Sequence, residues 1–324
     1  MSTPPSTAVT ASCVALLLVL ASGDVAAGVC RDADVFPDSA GKRVVSANDS
    51  LFFQTKDLQL DIDGSPDAYG TKDQGLEDVC NGLGPLQPPN CRGNARGSCY
   101  QACQAAFRQW SDAKSSPQGL GQFVCSIGLG GGGCSVPHVR LQDSPRDEWF
   151  VSETTVQSGP PAGVGVGQWV KAQAAQLDSQ AIPYFVIPSS FRKLPWDATP
   201  GDLGVVIEAR SGHEASFVVG DIGGELNEAS ARLLATLAGR ERLATQMKVD
   251  ALGVPVARLV GARAGDFRVV IFRHTAPLLP KPQRGGAFVL SKTAQGLPDW
   301  IRNAARQKLE AIGGRQRVID CTEP

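Results

Sequence analysis

The sequence predicts a mainly β (α+β) fold, on three observations. Short apolar and β-branched runs at 51–62, 148–156, 182–188, 203–207, 215–219, 255–260 and 267–272 are bounded by Gly, Pro and polar clusters, as strands are. Helical spacing of apolar residues is confined to a few segments. Glycine (36) and proline (22) are somewhat high among 324 residues, as in a loop-rich chain, and 42% hydrophobic content is enough for a sizeable core.

Residues 1–27 read as a secretory signal. The apolar block at 14–21 is too short to span a bilayer, and Val25-Ala26-Ala27 offers a cleavage site, although residues 1–13 contain no Lys or Arg. Cys13 falls in that segment and eight cysteines remain: Cys30, Cys80, Cys91, Cys99, Cys103, Cys125, Cys134 and Cys321. An even number in an exported chain implies disulfides. Zinc is the weaker reading, because paired C-x-x-C spacings are missing and His138, His213 and His274 lie outside the cysteine cluster. Cys30 and Cys321, alone at the two ends, are expected to bridge to each other or to the body.

Beyond residue 27 the chain carries 31 basic and 31 acidic residues, since the segment removed contains only Asp24. No nucleic-acid or membrane partner is expected from that balance, and a monomer is expected. The charge is uneven, however. Between 56 and 78, Asp57, Asp61, Asp63, Asp67, Asp73, Glu77 and Asp78 stand against Lys56 and Lys72, a local excess able to attract a cationic ligand. A Ca²⁺ loop is the rival reading at Asp61-Ile62-Asp63-Gly64, but the later oxygen ligands and closing Glu of an EF-hand are absent, so no metal or other cofactor is expected.

Taken in order, Leu51–Ile62 alternates as a strand and ends in that acidic turn. Cys99–Trp110 is a short helix candidate within a cysteine-rich insert at 80–134, and the glycine run at 128–133 lacks the Lys-Ser/Thr of a phosphate loop. Glu148–Val156 reads as a strand, and Ile182–Pro188 as another, with Pro183 and Pro188 favouring an edge or strand-end place. Leu203–Ile207 and Ala215–Val219 form a hairpin across Arg210-Ser211-Gly212-His213. Pro255–Val260 is expected to pair with Phe267–Phe272, and Leu297–Ile312 to form a helix closed by Gly313-Gly314.

The stretch after the hairpin carries the chemistry. Asp221 leaves a strand; beyond Gly223 and Gly224, Asn227 is expected to cap a helix bearing Ala231, Leu234, Ala235 and Ala238, which puts Glu228 in its first turn. Two carboxylates seven residues apart around a double glycine can converge on one open surface and work on one bond. Ordinary turn and cap preferences also put acids at such positions.

Several pieces, in this order, are similar to glycoside hydrolase family 75, the fungal and bacterial endo-chitosanases. They are the Asp61–Tyr69 turn, Phe150–Thr155, Pro183–Pro188, Gly201-Asp202-Leu203, Val218–Gly223 with Glu228-Ala229-Ser230, and Val269–Phe272. The resemblance implies a compact double-psi-like β-barrel with peripheral helices. It also implies one catalytic domain over 28–324 that carries the disulfide-rich insert and cleaves β-1,4 bonds in chitosan with inversion. The family's catalytic pair falls on Asp221 and Glu228. Three departures stand out: the interval between the acids is short, Gly224 replaces a usual proline, and Asn227 replaces a glycine. Glu225 is therefore the alternative second acid.

An inverting pair needs a proton donor and a base ~6.5–9.5 Å apart. A helix N-terminus at Glu228 would hold that acid ionised and favour it as base with Asp221 as donor, but the sequence leaves the assignment open. Asp61, Asp63 and Asp67 are candidates to bind a cationic polymer, and Tyr69, Tyr184 and Trp196 to stack on sugar rings, with Tyr184 equally readable as core. The competing classes are a non-catalytic glycan-binding protein on the same fold and a hydrolase of another amino-sugar polymer such as peptidoglycan or chitin.

Overall fold

The computed structural model describes residues 30, 34–38, 41–71, 73–79, 107, 141–143, 146, 149–249, 253–261, 263–279 and 287–323. The longest alternating run of the sequence becomes its longest strand, β3 (Ser50–Asp61), which follows β1 (Asp34–Pro37) and β2 (Arg43–Ala47) in an antiparallel meander. From β3 the pairing runs to β11 (Arg263–Phe272), β6 (Leu203–Glu208), β7 (Glu214–Gly223), β5 (Tyr184–Pro188) and β8 (Glu228–Ser230). β8 pairs back with β3, so these six strands close into a barrel and the fold is the mainly β barrel with peripheral helices expected from the sequence. Closure removes sheet edges from the ring. The β3–β8 and β5–β7 pairings are parallel, and the others in the ring antiparallel.

Alternation sorts the strand residues onto two faces. Leu51, Phe53, Phe185, Ile187, Val206, Phe217, Val219, Ala229, Phe267, Val269 and Ile271 make one buried cluster drawn from all six strands, which is the barrel interior. Helix α1 (Ala231–Leu237) packs Leu233, Leu234 and Leu237 into it. The opposite face carries Phe52, Tyr184, Val186, Val205, Ile207, Val218 and Val270. It is covered by α2 (Leu297–Ala311), whose Leu297, Ile301, Ala305 and Leu309 form one stripe, and by Val318 of α3 (Gly314–Thr322). Gly313, at φ 104°, makes the turn between the two helices. Cys321 of α3 is disulfide-bonded to Cys30, tying the two ends of the described chain together.

Several expectations need correction. The chain from Val151 to Thr155 is irregular: Trp149 and Phe150 make only isolated bridges, and regular strand β4 (Val156–Gly159) begins where the expected strand ends. Side-chain amides take the place of a ladder there, since Gln173 Oε1 accepts from the Ser152 amide at 2.9 Å and Gln176 Oε1 from the Thr154 amide at 2.9 Å. β10 (Pro255–Leu259) pairs with β9 (Thr245–Val249) and not with Phe267–Phe272, which is already paired on both sides by β3 and β6. β5 is flanked by β7 and β8, so its prolines mark strand ends and not an edge. The parallel pair of β4 with β12 (Phe288–Thr293) has no counterpart in the sequence reading.

Residues 1–29, hence the expected signal segment, and Cys80, Cys91, Cys99, Cys103, Cys125 and Cys134 lie outside the described residues, as does the 128–133 glycine run. Of the expected helix at 99–110 only Phe107, which is helical, is described. Among the described residues no helix is long and apolar enough to cross a membrane.

Candidate active site

A one-residue bulge aims the first acid. In β7, Ala215, Phe217 and Val219 point into the barrel, so strict alternation would bury Asp221 there as well. Val219 pairs with Phe185, but Asp221 pairs with Val186, so Gly220 is an extra residue in the ladder and Asp221 turns to the outer face with Val186. Only glycine fits at 220, because a Cβ there would lie 2.5 Å from Tyr184 Cβ.

Asn227 does not cap the helix. Gln59–Asp61 of β3 holds Glu228–Ser230 as a parallel strand, so the chain stays extended to Ser230, whose hydroxyl accepts the Leu233 amide as the N-cap. Glu228 therefore sits on β8, not in the first helical turn. Ala229 points inward, leaving Glu228 on the same outer wall as Asp221 and, on neighbouring β3, Asp61.

These acids line one open cleft of about 190 Å³ bounded by Leu60, Asp61, Ile62, Asp63, Tyr69, Glu77, Val186, Asp221, Ile222, Gly223 and Glu228. Five carboxyl groups and no Lys, Arg or His appear among these lining residues. Asp221 Oδ1 accepts three hydrogen bonds, from the Thr155 hydroxyl, the Thr155 amide at 3.1 Å and the Ile222 amide at 2.7 Å. Asp63 Oδ1 accepts from the Ser152 hydroxyl at 2.9 Å and the Tyr69 hydroxyl at 3.0 Å. Asp61 Oδ1 accepts the Asp63 amide at 2.8 Å. Tyr184 sits beneath, its hydroxyl donating to the Asp61 and Asp63 carbonyls at 3.2 and 2.8 Å.

Crowding acids away from water raises their proton affinity. Burial, then the neighbouring Asp63 and Asp221, pushes Asp61 well above the usual carboxylate range. Burial and Asp221 push Asp63 up to about 7. Burial raises Asp221 against the pull of its Thr155 and Ile222 hydrogen bonds, and it raises Glu228 with help from Asp221 and Glu225. Burial likewise keeps the Tyr69 and Tyr184 phenols protonated as donors. One oxygen each of Asp61, Asp63 and Asp221 lie within 4.8 Å of one another. At an effective dielectric of about 20, two anions that close repel by on the order of 3–4 kcal/mol. The trio therefore favours a proton or a cation in its midst, and its donors to a cation would be carboxylates alone.

The expected site residues divide. Asp61, Asp63, Asp221 and Glu228 come together in the cleft, and Tyr69 joins them, but its ring is buried at 3% exposure, so it serves through its hydroxyl on Asp63 and not as the expected stacking face. Asp67 does not line it and pairs with Arg146. Trp196 stacks on Phe191 with ring centroids 5.2 Å apart and is also outside the lining. Tyr184 is wholly buried, so its ring offers no face to a sugar, because its strand turns that side chain under α2 and the acidic turn. Glu225 is exposed and outside the cleft lining. The acidic run at 57–78 is likewise not one face: Asp73 is buried against Arg258 at 2.9 Å, and Asp57 accepts from the Asn227 amide side chain at 3.1 Å. Ser152 and Thr155 were not singled out from the sequence, and Glu77 was named only as a member of the acidic run; nothing local signals that residue 152 meets 63 or that 155 meets 221.

The site thus defines a mainly β barrel with a carboxyl-rich outer cleft. No protein-family model matches the chain, and no curated protein matches it.

Proposed function

We propose that this protein is a secreted, endo-acting glycoside hydrolase that cleaves β-1,4 bonds in chitosan by inverting acid/base hydrolysis. The observation that carries the reading is that Asp221 and Glu228, on strands separated by β5, face one open cleft whose lining residues include five carboxylic acids and no Lys, Arg or His. Such a cleft attracts a polymer whose amines are protonated, and it surrounds the scissile bond with proton donors and acceptors. Export accords with the signal-like segment at 14–27 and with the Cys30–Cys321 disulfide.

The local chemistry supports Glu228 as donor and Asp221 as base, the reverse of the assignment a helix N-terminus at Glu228 would favour. Three donors on Asp221 Oδ1 stabilise its carboxylate, leaving Oδ2 for the water. Glu228 lies on a strand, and burial and two acidic neighbours hold its proton. Glu228 gives that proton to the glycosidic oxygen as the C–O bond breaks. Asp221 takes a proton from the water whose oxygen bonds to the anomeric carbon. The test is release of reducing ends by the oxidised protein from chitosans of increasing acetylation, with chitin and peptidoglycan alongside. Release that falls with acetylation supports the reading; release from chitin or peptidoglycan alone assigns a different polymer; binding without release makes the protein a glycan-binding one.

A further inference from the structure

We propose that Asp63 is a positioning residue for Asp221: it retains a proton inside the carboxyl cluster, so that Asp221 carries the cluster's negative charge. The inference rests on the reading of Asp221 as the base. Its first support is spacing, since one oxygen from each of Asp61, Asp63 and Asp221 falls within 4.8 Å while no cationic side chain appears in the cleft lining. Its second is the unequal share of donors. Asp221 Oδ1 receives three hydrogen bonds, two of them from backbone amides that cannot turn away. Asp63 Oδ1 receives two, both from hydroxyls, and Asp61 Oδ1 receives one, from the Asp63 amide, so Asp221 is the member best furnished to hold the charge. The Ser152 oxygen also accepts the Gly64 amide at 3.0 Å, which directs its own hydrogen to Asp63. With Oδ1 of Asp63 facing two hydroxyl donors, a proton on that side chain belongs on Oδ2.

The groups facing Asp63 are Asp61 at the end of β3, Tyr69 and Glu77 on the loop that follows, Asp221 on β7, Glu228 on β8 and the Tyr184 hydroxyl below. All are acids or phenols, so each step of ionisation at Asp63 adds uncompensated charge. Neutral Asp63 instead supplies a donor beside the Asp221 carboxylate, in the manner of two acids that share one proton. No proton is consumed: the cluster exchanges its proton with solvent while Asp221 and Glu228 exchange theirs with water and sugar.

The experiment is a ¹³C NMR titration of the aspartate carboxyl carbons in the full-length, oxidised protein without substrate, beside the pH profile of kcat/KM on chitosan. Beside Asp61, which is also held well above the usual carboxylate range, one carboxyl should titrate near pH 7, and that signal should vanish in Asp63→Asn. Three cluster aspartates that all ionise below about pH 5 would overturn the proposal. Tyr69→Phe, which deletes one donor to ionised Asp63, should move that midpoint upward; an unmoved midpoint counts against it. In the pH profile, Asp63→Asn cannot lose its neutrality, so its ratio of activity at high to low pH should exceed the wild-type ratio at least about threefold. A lowered kcat with an unmoved profile means a structural role only. Because the titration needs no substrate, absence of chitosan hydrolysis with a neutral titration present defeats the hydrolase reading and leaves the shared proton standing.

Discussion

Gly223 and Glu228 pack so closely that a Cβ on the glycine would lie 2.5 Å from Glu228 Oε2. The same Cβ would meet Val186 Cγ1 at 2.8 Å, so the floor of the cleft closes from both sides. Gly224, next in sequence, has nothing within 4 Å of the equivalent point. The double glycine is therefore asymmetric: one member makes room for the acid and the other only serves the turn.

That asymmetry predicts a difference between two mild substitutions. Gly223→Ala should displace the Glu228 carboxyl and cut turnover on chitosan by ~10²-fold, the cost of misplacing a reacting group by about 1 Å. Gly224→Ala should leave turnover within about threefold of wild type. Steady-state kinetics on the two variants, with circular dichroism to confirm folding, checks this. Equal activity in both would mean Glu228 does not act from the position seen here.

Stability should fall as pH rises toward neutrality. The folded-state proton affinity of Asp63 is raised from 3.8 to about 7, and Asp61, Asp221 and Glu228 are raised as well. A raised carboxyl favours the fold fully below its unfolded pKa, and that contribution is lost as pH climbs through the folded one. Glu208, lowered to about 2 by Ser211 and Arg210 hydrogen bonds against its burial, acts the other way but below this window. Calorimetry should give a Tm that drops between about pH 4 and pH 7, with Asp63→Asn flattening the drop. A Tm that rises across that window would contradict the description of the cleft as proton-holding.

Removing the disulfide should weaken the fold without touching the chemistry. Cys30 and Cys321 are 291 residues apart in sequence, and the bond holds α3 over the outer face of the barrel. Replacing both with serine should cost about 2–5 kcal/mol in denaturant unfolding. Chitosan binding at low temperature should be unchanged. Loss of binding at equal folded fraction would show that α3 shapes the cleft.

Much of the barrel was legible because its strands alternate and its turns carry Gly: β3, the β6–β7 hairpin and α2 all follow from pattern. Glu148–Val156 misled because its composition suits a strand while Gln173 and Gln176, far along the chain, supply its hydrogen bonds. Asn227 looked like a cap for the same kind of reason. Whether the chain turns helical at 228 or at 231 is decided by pairing with β3, which lies some 170 residues upstream and leaves no local mark. The convergence of Asp221 and Glu228 could be anticipated from the double glycine. The bulge at Gly220 that turns Asp221 outward could not, since alternation through Val219 points the acid inward.

The most direct measurement is reducing-end release from chitosan by wild type, Asp221→Asn, Glu228→Gln and Glu225→Gln, compared at equal folded concentration. Wild type should hydrolyse, and Asp221→Asn and Glu228→Gln should each fall by ~10²–10⁴-fold, the contribution of a positioned acid or base. Glu225→Gln should retain activity, since its side chain is exposed outside the cleft. Wild type that binds chitosan and releases no reducing ends, or a Glu225→Gln that loses activity while Glu228→Gln keeps it, would contradict the account.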